Sequence, residues 1–169
     1  MKDTLRLILF LECNMSCSYC CNNIKKIRSR FVEKTLSEIG FTIYKNVCIT
    51  GGEPFLDKRL LYLVLNSIPE FKNVYIYTNG LLINWEDVHL LRKLGNIKGI
   101  NIGLHTTQQL KKIIHLEKYL PVRFMMNETL KNKFIKTYPE RLTKDNVNTW
   151  KLNECEMPNE DWILLKKLR

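Results

Sequence analysis

The sequence predicts an α/β fold: a mostly parallel sheet curled into an open, partial (β/α)6 barrel. Three observations predict it. Short apolar runs alternate with longer amphipathic stretches along the whole chain, and strands alternating with helices read as parallel strands joined by right-handed crossovers. The chain has 169 residues, whereas a closed eight-unit barrel takes about 250. Residue types that carry chemistry collect where the apolar runs end, which is where ligands bind in parallel α/β sheets.

The elements follow in order. Leu5–Leu11 is apolar apart from Arg6 and reads as the first strand. Cys13–Asn23 is a loop. Phe31–Ile39 has helical spacing and stops at Gly40. Val47–Thr50 is the second strand. Lys58–Ile68 carries Leu60, Leu61, Leu63, Val64, Leu65 and Ile68, so it reads as a helix buried on most of its surface and ended by Pro69. Val74–Thr78 is the third strand, closed by the turn signal Asn79-Gly80. Trp85–Leu94 is a helix with Glu86 and Asp87 in its first turn, where the helix dipole favours them, and Gly95 beyond its end. Ile97–Leu104 is the fourth strand, Thr107–Tyr119 a helix followed by Pro121, and Val122–Met126 the fifth strand. Glu128–Tyr138 reads as a helix, Val147–Glu154 as the sixth strand and Glu160–Leu168 as a closing helix. No internal repeat or low-complexity segment interrupts this order.

Composition narrows the class. With 45% hydrophobic residues the chain can bury a core, and the expectation is one domain over residues 1–169. No apolar run is long enough to cross a membrane. Arg6 and Glu12 interrupt the first apolar run and no small-residue cleavage site follows, which argues against a secretory leader and for a cytoplasmic protein. Six cysteines without a leader point to metal or redox chemistry rather than disulfides. There are 27 basic and 17 acidic residues, a net charge of +10. That balance fits either a solvated surface or an anionic partner such as RNA, DNA, a nucleotide or an acidic protein.

The chemistry centres on Cys13-Asn14-Met15-Ser16-Cys17-Ser18-Tyr19-Cys20, which places three thiols on one short loop after the first strand. A structural zinc site needs a fourth ligand. An iron–sulfur cubane held by three thiolates keeps one iron open, and an open position is where a catalytic metal binds substrate. After the second strand stands Gly51-Gly52-Glu53-Pro54. Alone this is a turn; after a cysteine loop it reads as a ligand loop. Together the two motifs resemble the radical S-adenosylmethionine (radical SAM) superfamily. That family carries a CxxxCxΦC loop after its first strand, with Tyr19 as the aromatic Φ here, and a GGEP-like motif after its second.

The resemblance implies the rest. The fold would be the (β/α)6 partial barrel already read from the pattern. Cys13, Cys17 and Cys20 would hold one [4Fe–4S] cluster. Its open iron would chelate S-adenosylmethionine (SAM), and one electron would cleave SAM to methionine and a 5′-deoxyadenosyl radical that abstracts hydrogen from a substrate. The electron would come from an external donor such as a flavodoxin or ferredoxin. Gly51, Gly52, Glu53 and Pro54 would meet the methionine ammonium group, Tyr19 the adenine, and Thr78-Asn79-Gly80 would supply further SAM contact. Beyond residue 80 the likeness thins. Gly103 stands where the family's fourth strand usually presents a serine. His105, on the same strand face as Asn101 and Gly103, is left as a partner for the SAM carboxylate or ribose. Arg123 suits a carboxylate in type but sits early in its strand. The Trp150–Glu154 stretch would be the strand that receives the adenine. Cys21 reads as a spare thiol and Cys48 as a small buried hydrophobe. Cys155 is the one cysteine beyond residue 48, so no accessory cluster domain is expected.

The substrate is not written in the motifs; RNA or a nucleotide, then a peptide, is the order that the charge favours. An activase of glycyl-radical enzymes is the enzymatic alternative, although the residues after its cysteine loop differ. The alternative outside enzymology is a non-catalytic zinc-binding or nucleic-acid-binding module built on Cys13, Cys17, Cys20 and a distant Cys or His. It leaves Gly51 to Pro54 unexplained.

Overall fold

The computed structural model describes residues 2–17, 20–143, 145–149 and 159–166. The strands are β1 (Thr4–Ile8), β2 (Val32–Lys34), β3 (Asn46–Thr50), β4 (Asn73–Thr78), β5 (Ile97–Gly103), β6 (Val122–Met126), β7 (Val147–Thr149) and β8 (Glu160–Leu165). The helices are α1 (Lys25–Arg28), α2 (Lys58–Ser67), α3 (Trp85–Lys93), α4 (Thr107–Ile113) and α5 (Glu128–Thr137). The eight strands form one sheet in the order β2-β8-β1-β3-β4-β5-β6-β7. Every pairing in it is parallel.

From β3 to β7 each strand lies beside the one before it, so the right-handed crossovers land on one face. Side-chain alternation then sorts the sheet. Leu5, Leu7, Val47, Ile49, Val74, Ile76, Ile100, Ile102, Phe124 and Met126 face the helices. There they form one core with Leu61, Val64 and Leu65 of α2, Val88 and Leu91 of α3, Leu110 and Ile113 of α4, and Phe134 of α5. The alternate positions line the opposite, inner face. Near β1 and β8 that face is covered by a small apolar cluster of Ile8, Ile27 and Trp162, with Phe31 stacked on Trp162 at 5.9 Å between ring centres. Across the rest it is polar. Arg6 lies over the rings of Tyr77 and Trp162 and is paired to Glu160 by two hydrogen bonds of 2.6 and 3.0 Å.

The helices start where side chains can accept their free N–H groups. Asp57 accepts from Leu60 N, Thr106 from Gln109 N and Asn127 from Leu130 N. Asn84 and Asp87 form a reciprocal capping box on α3. Asp87 also accepts from Lys58 Nζ and Tyr62 Oη, which fixes α3 against α2.

Two elements differ from the sequence reading. Phe31–Ile39 is not a helix. Val32–Lys34 is strand β2, and only a single 3-10 turn, Leu36–Glu38, follows. That turn is closed by Glu38, which accepts from the backbone N–H and the hydroxyl of Thr35. Nothing extends it, because Gly40 and the next 3-10 turn follow at once. Nor is Glu160–Leu168 a closing helix. Residues 160–165 are β8, inserted between β1 and β2. Pairing on both edges buries Trp162, Ile163 and Leu165, and that run of apolar residues fits a flanked parallel strand as well as a helix. A smaller change is that Thr107–Tyr119 is α4 followed by a 3-10 turn, Ile114–Lys118. Of the expected sixth strand, Val147–Thr149 is β7, while Trp150 to Glu154 lie outside the described residues. Among the described residues no helix is long and apolar enough to cross a membrane.

Candidate active site at the strand ends

The motifs converge at the carboxyl ends of β1, β3, β4 and β5. Beyond β1 and β3 the two chains keep pairing as they leave the sheet. Leu9 N donates to Thr50 O at 3.1 Å, Gly52 N to Phe10 O at 2.7 Å and Glu53 N to Glu12 O at 2.9 Å. A Cβ on Gly52 would stand 1.7 Å from the carbonyl oxygen of Glu12. One on Gly51, whose φ is +139°, would stand 2.4 Å from that of Phe10. The close approach these glycines permit is therefore one by the chain's own backbone. They press the Gly51–Pro54 loop against the lead-in to the cysteine loop.

Glu53 is 1% exposed. One of its carboxylate oxygens accepts from Phe55 N (3.1 Å) and Thr78 Oγ1 (2.7 Å), the other from Asn79 N (2.7 Å). It thus caps the 3-10 turn that Pro54 opens and locks the end of β3 to the end of β4. Burial raises the Glu53 carboxyl above its ordinary range, against the opposing pull of these donors. Thr78 Oγ1 accepts from Gly80 N, Asn79 Oδ1 accepts from Leu81 N, and Asn79 Nδ2 donates to Asn14 Oδ1 at 2.7 Å. That last bond ties the end of β4 to the cysteine loop. Glu53, Thr78 and Asn79 are a brace.

A second brace was not foreseen. Gln109, 3% exposed, donates from Nε2 to Asn79 O (2.7 Å) and Gly103 O (2.6 Å) and accepts from His105 N (2.8 Å). It joins the ends of β4 and β5 and fixes the backbone of His105. The signal was present as Thr106-x-x-Gln109, a capping-box spacing. Here the Gln side chain reaches one residue further back and across to β4. Asn22 was likewise missed: buried, it donates to Gly51 O and receives Arg28 Nε on its own carbonyl.

His105 faces the cysteines. Its Nε2 lies 3.5 Å from Cys17 Sγ, and burial lowers its pKa. Cys13, Cys17 and Cys20 are all free thiols, Cys13 exposed and the others half-buried. Burial raises the pKa of Cys17, and the charges of Cys20 and Cys13 raise it further. The Cys13 sulfur accepts from Met15 N and Cys20 N donates to Cys17 O. Among the described residues no three His, Cys, Asp or Glu side chains are closed around a metal position. The donor set nonetheless fits an iron–sulfur cluster: three free thiols on one loop, tied to the braces through Asn14 and His105. Tyr19 and Cys155 lie outside the described residues. Cys21 is not a spare thiol: it is disulfide-bonded and so withdrawn from any ligand set. Cys48 is the expected buried residue, its thiol pushed up to about 11 by burial.

The family model of the radical SAM superfamily matches residues 7–147. The chain belongs to the radical SAM superfamily. Members of this family are enzymes that use a [4Fe–4S] cluster and SAM. It is 29% identical to the GTP 3′,8-cyclase of Clostridium perfringens strain 13 over 175 aligned residues, covering 92% of this chain and 53% of that protein. It is 35% identical to the sporulation killing factor maturation protein SkfB of Bacillus subtilis strain 168 over 95 residues, covering 50% of this chain and 22% of that protein. The structure of Streptococcus suis SuiB bound to S-adenosylmethionine shares the fold. Its TM-score is 0.61 at 16% identity, over 97% of this chain and 47% of that one. This radical SAM chain thus spans about half the length of the first of these relatives.

Proposed function

We propose that this radical SAM enzyme holds its cluster on Cys13, Cys17 and Cys20 and its SAM between Gly51–Pro54, Thr78–Asn79 and the cysteine loop. When bound, the cluster supplies the electron that cleaves SAM to methionine and a 5′-deoxyadenosyl radical, which takes hydrogen from the substrate. An external one-electron donor, such as a flavodoxin or ferredoxin, provides that electron. The observation that carries the reading is the double brace. Glu53 and Gln109 fix the ends of β3, β4 and β5 to one another, and Asn14 and His105 carry that frame to the three free thiols. A frame set before the ligand arrives loses less entropy on binding it.

The chain's residues have separate tasks in this reading. Glu53 holds the loop that faces the methionine end of SAM but spends its own oxygens on Phe55, Thr78 and Asn79, so ligand recognition falls to backbone groups around it. His105 acts on Cys17. Gly103, without a side chain, gives the His105 imidazole its place on the inner face. The substrate is a nucleotide, with a peptide as the second choice. The nucleotide reading is supported by relatives named GTP 3′,8-cyclase and by the net charge of +10; the peptide reading by the solved anSMEcpe with bound AdoMet and a Kp18Cys peptide, which shares the fold.

The test is anaerobic reconstitution with iron and sulfide, then dithionite and SAM, with 5′-deoxyadenosine measured by chromatography. Brown protein that forms 5′-deoxyadenosine, and a Cys17→Ala variant that forms none, are expected. Colourless protein with one bound zinc and no cleavage product would overturn the proposal.

A further inference from the structure

The inner face of the sheet carries polar groups that the braces do not use. Asn101 lies midway along β5, in register with Tyr77 of β4 on one side and Arg123 of β6 on the other. Parallel neighbours in register point the same way, and Ile100, Ile102 and Phe124, the alternate residues, are in the helix-side core. Tyr77, Asn101 and Arg123 therefore form one row on the inner face. Asn101 is only 5% exposed, yet its side-chain amide makes no hydrogen bond among the described residues. Its amide atoms are not sealed off, since Trp162 Nε1 is the only buried side-chain nitrogen or oxygen without a partner among the described residues, so the Asn101 amide is open to a ligand.

Arg123 adds a charge to the same row. Its guanidinium leans over the ring of Tyr75 at 5.8 Å, is exposed, and has no carboxylate partner among the described residues. The contrast is Arg6 on the same face, closed off by Glu160. Gly99, beside Arg123, clears the way: a Cβ there would lie 3.0 Å from the Tyr75 ring and 3.9 Å from the Arg123 guanidinium carbon. Above Asn101, Gly103 makes room for the His105 imidazole, whose Nε2 would lie 3.5 Å from a Cβ there.

We infer that Asn101 and Arg123 form an oxyanion subsite for the substrate, taking a phosphate or carboxylate group with Tyr77 as the neighbouring wall. A guanidinium fork and a carboxamide match an oxyanion with spare lone pairs. Distance separates this subsite from the methionine end of SAM. Asn101 is two residues below Gly103 on β5, about 7 Å along the strand at about 3.3 Å per residue, and the His105 imidazole, which touches the cysteine loop, lies against Gly103. An anionic end held at Asn101 and Arg123 would thus sit one row of the inner face below the His105 side chain. The inference rests on the proposed function for the identity of that substrate, but not for the existence of the anion site.

The experiment is isothermal titration at fixed ionic strength with four probes: GTP, guanosine, inorganic tripolyphosphate and an acetylated dipeptide with a free carboxylate. Wild type, Arg123→Gln and Asn101→Leu are compared, with melting temperature and iron content as controls of folding. Expected is binding of at least one anionic probe, weakened about tenfold or more in each variant, and no comparable change for guanosine. Phosphate probes binding alone identify a phosphate ligand; the dipeptide binding alone identifies a carboxylate. Binding indifferent to both substitutions, or no binding by any anionic probe, would overturn the inference. Failure of SAM cleavage in wild type would instead sink the proposed function, since the titrations need neither reductant nor SAM.

Discussion

The ends of β3, β4 and β5 and the loop after β1 face the same mouth, yet they are built differently. On the strand-end side the polar groups are buried and satisfied. Glu53 accepts three hydrogen bonds and Gln109 makes three, all between 2.6 and 3.1 Å. On the cysteine side Cys13 is exposed and the thiols are free, and the contacts among the described residues include the Asn14–Asn79 bond, the 3.5 Å approach of His105 to Cys17, and backbone turns. A braced half and a half that presents free thiols suit a site in which one side is a scaffold and the other closes around a metal centre. Metal binding then contributes to the ordering of the side that needs it.

The largest effect should come from the seam between the two halves. In Gly52→Val the new side chain meets the Glu12 carbonyl, where even a Cβ would stand 1.7 Å away. Backbone on both sides must move, at a cost of about 3 kcal/mol or more. The expected outcome is loss of iron retention together with a fall in thermal stability. A variant that kept full iron and lost only SAM affinity would show that the seam is softer than the structure has it.

Glu53→Ala comes next. It leaves Thr78 Oγ1, Asn79 N and Phe55 N without their acceptor, costing about 2–4 kcal/mol in urea unfolding. Glu53 also gives a pH signature. Burial holds its carboxyl above the ordinary 4.5, so the native chain keeps that proton to higher pH than the unfolded chain. Its contribution to stability is greatest below 4.5 and is lost as pH rises from there through the raised native value. Glu53→Gln removes this titration, and the stability of wild type relative to Glu53→Gln should decline across that window. A difference that grew with pH would mean that the donors outweigh burial.

How much of this was legible in the sequence depends on the range of the interactions. The cysteine loop, Gly51 to Pro54 and Thr78-Asn79 carry their signals in a few adjacent residues, and strands β1, β3, β4, β5 and β6 show in local apolar runs. Glu160–Leu165 was misread because its partners, β1 and β2, are more than a hundred residues away, and a short apolar run does not declare its period. Gln109 was overlooked for the same reason: its role exists only where β4 and β5 end side by side. Asn101 and Arg123 were visible as residues, but their shared row comes from strand register.

Gln109→Ala should cost less than the loss of Glu53, about 1–3 kcal/mol, because two carbonyls and one N–H lose a neutral partner. Gln109→Glu sharpens the point: it can still accept from His105 N but has no donor for Asn79 O and Gly103 O, so it should not restore stability. The smallest effect belongs to His105→Phe. With Nε2 as donor to Cys17, its loss removes a hydrogen bond to a cluster sulfur and should lower the reduction potential while iron content holds. A potentiometric titration followed by electron paramagnetic resonance reads the shift, and an unchanged potential would confine His105 to packing.

The account stands most directly on which sulfurs hold the cluster. The measurement is iron and acid-labile sulfide per chain, with the electron paramagnetic resonance signal of the reduced protein, in single Cys→Ala variants after anaerobic reconstitution. Cys13→Ala, Cys17→Ala and Cys20→Ala should each lose the cluster, whereas Cys48→Ala, buried in mid-strand on the inner face, should retain about four irons per chain. A full complement of iron after loss of Cys13, Cys17 or Cys20 would contradict the account.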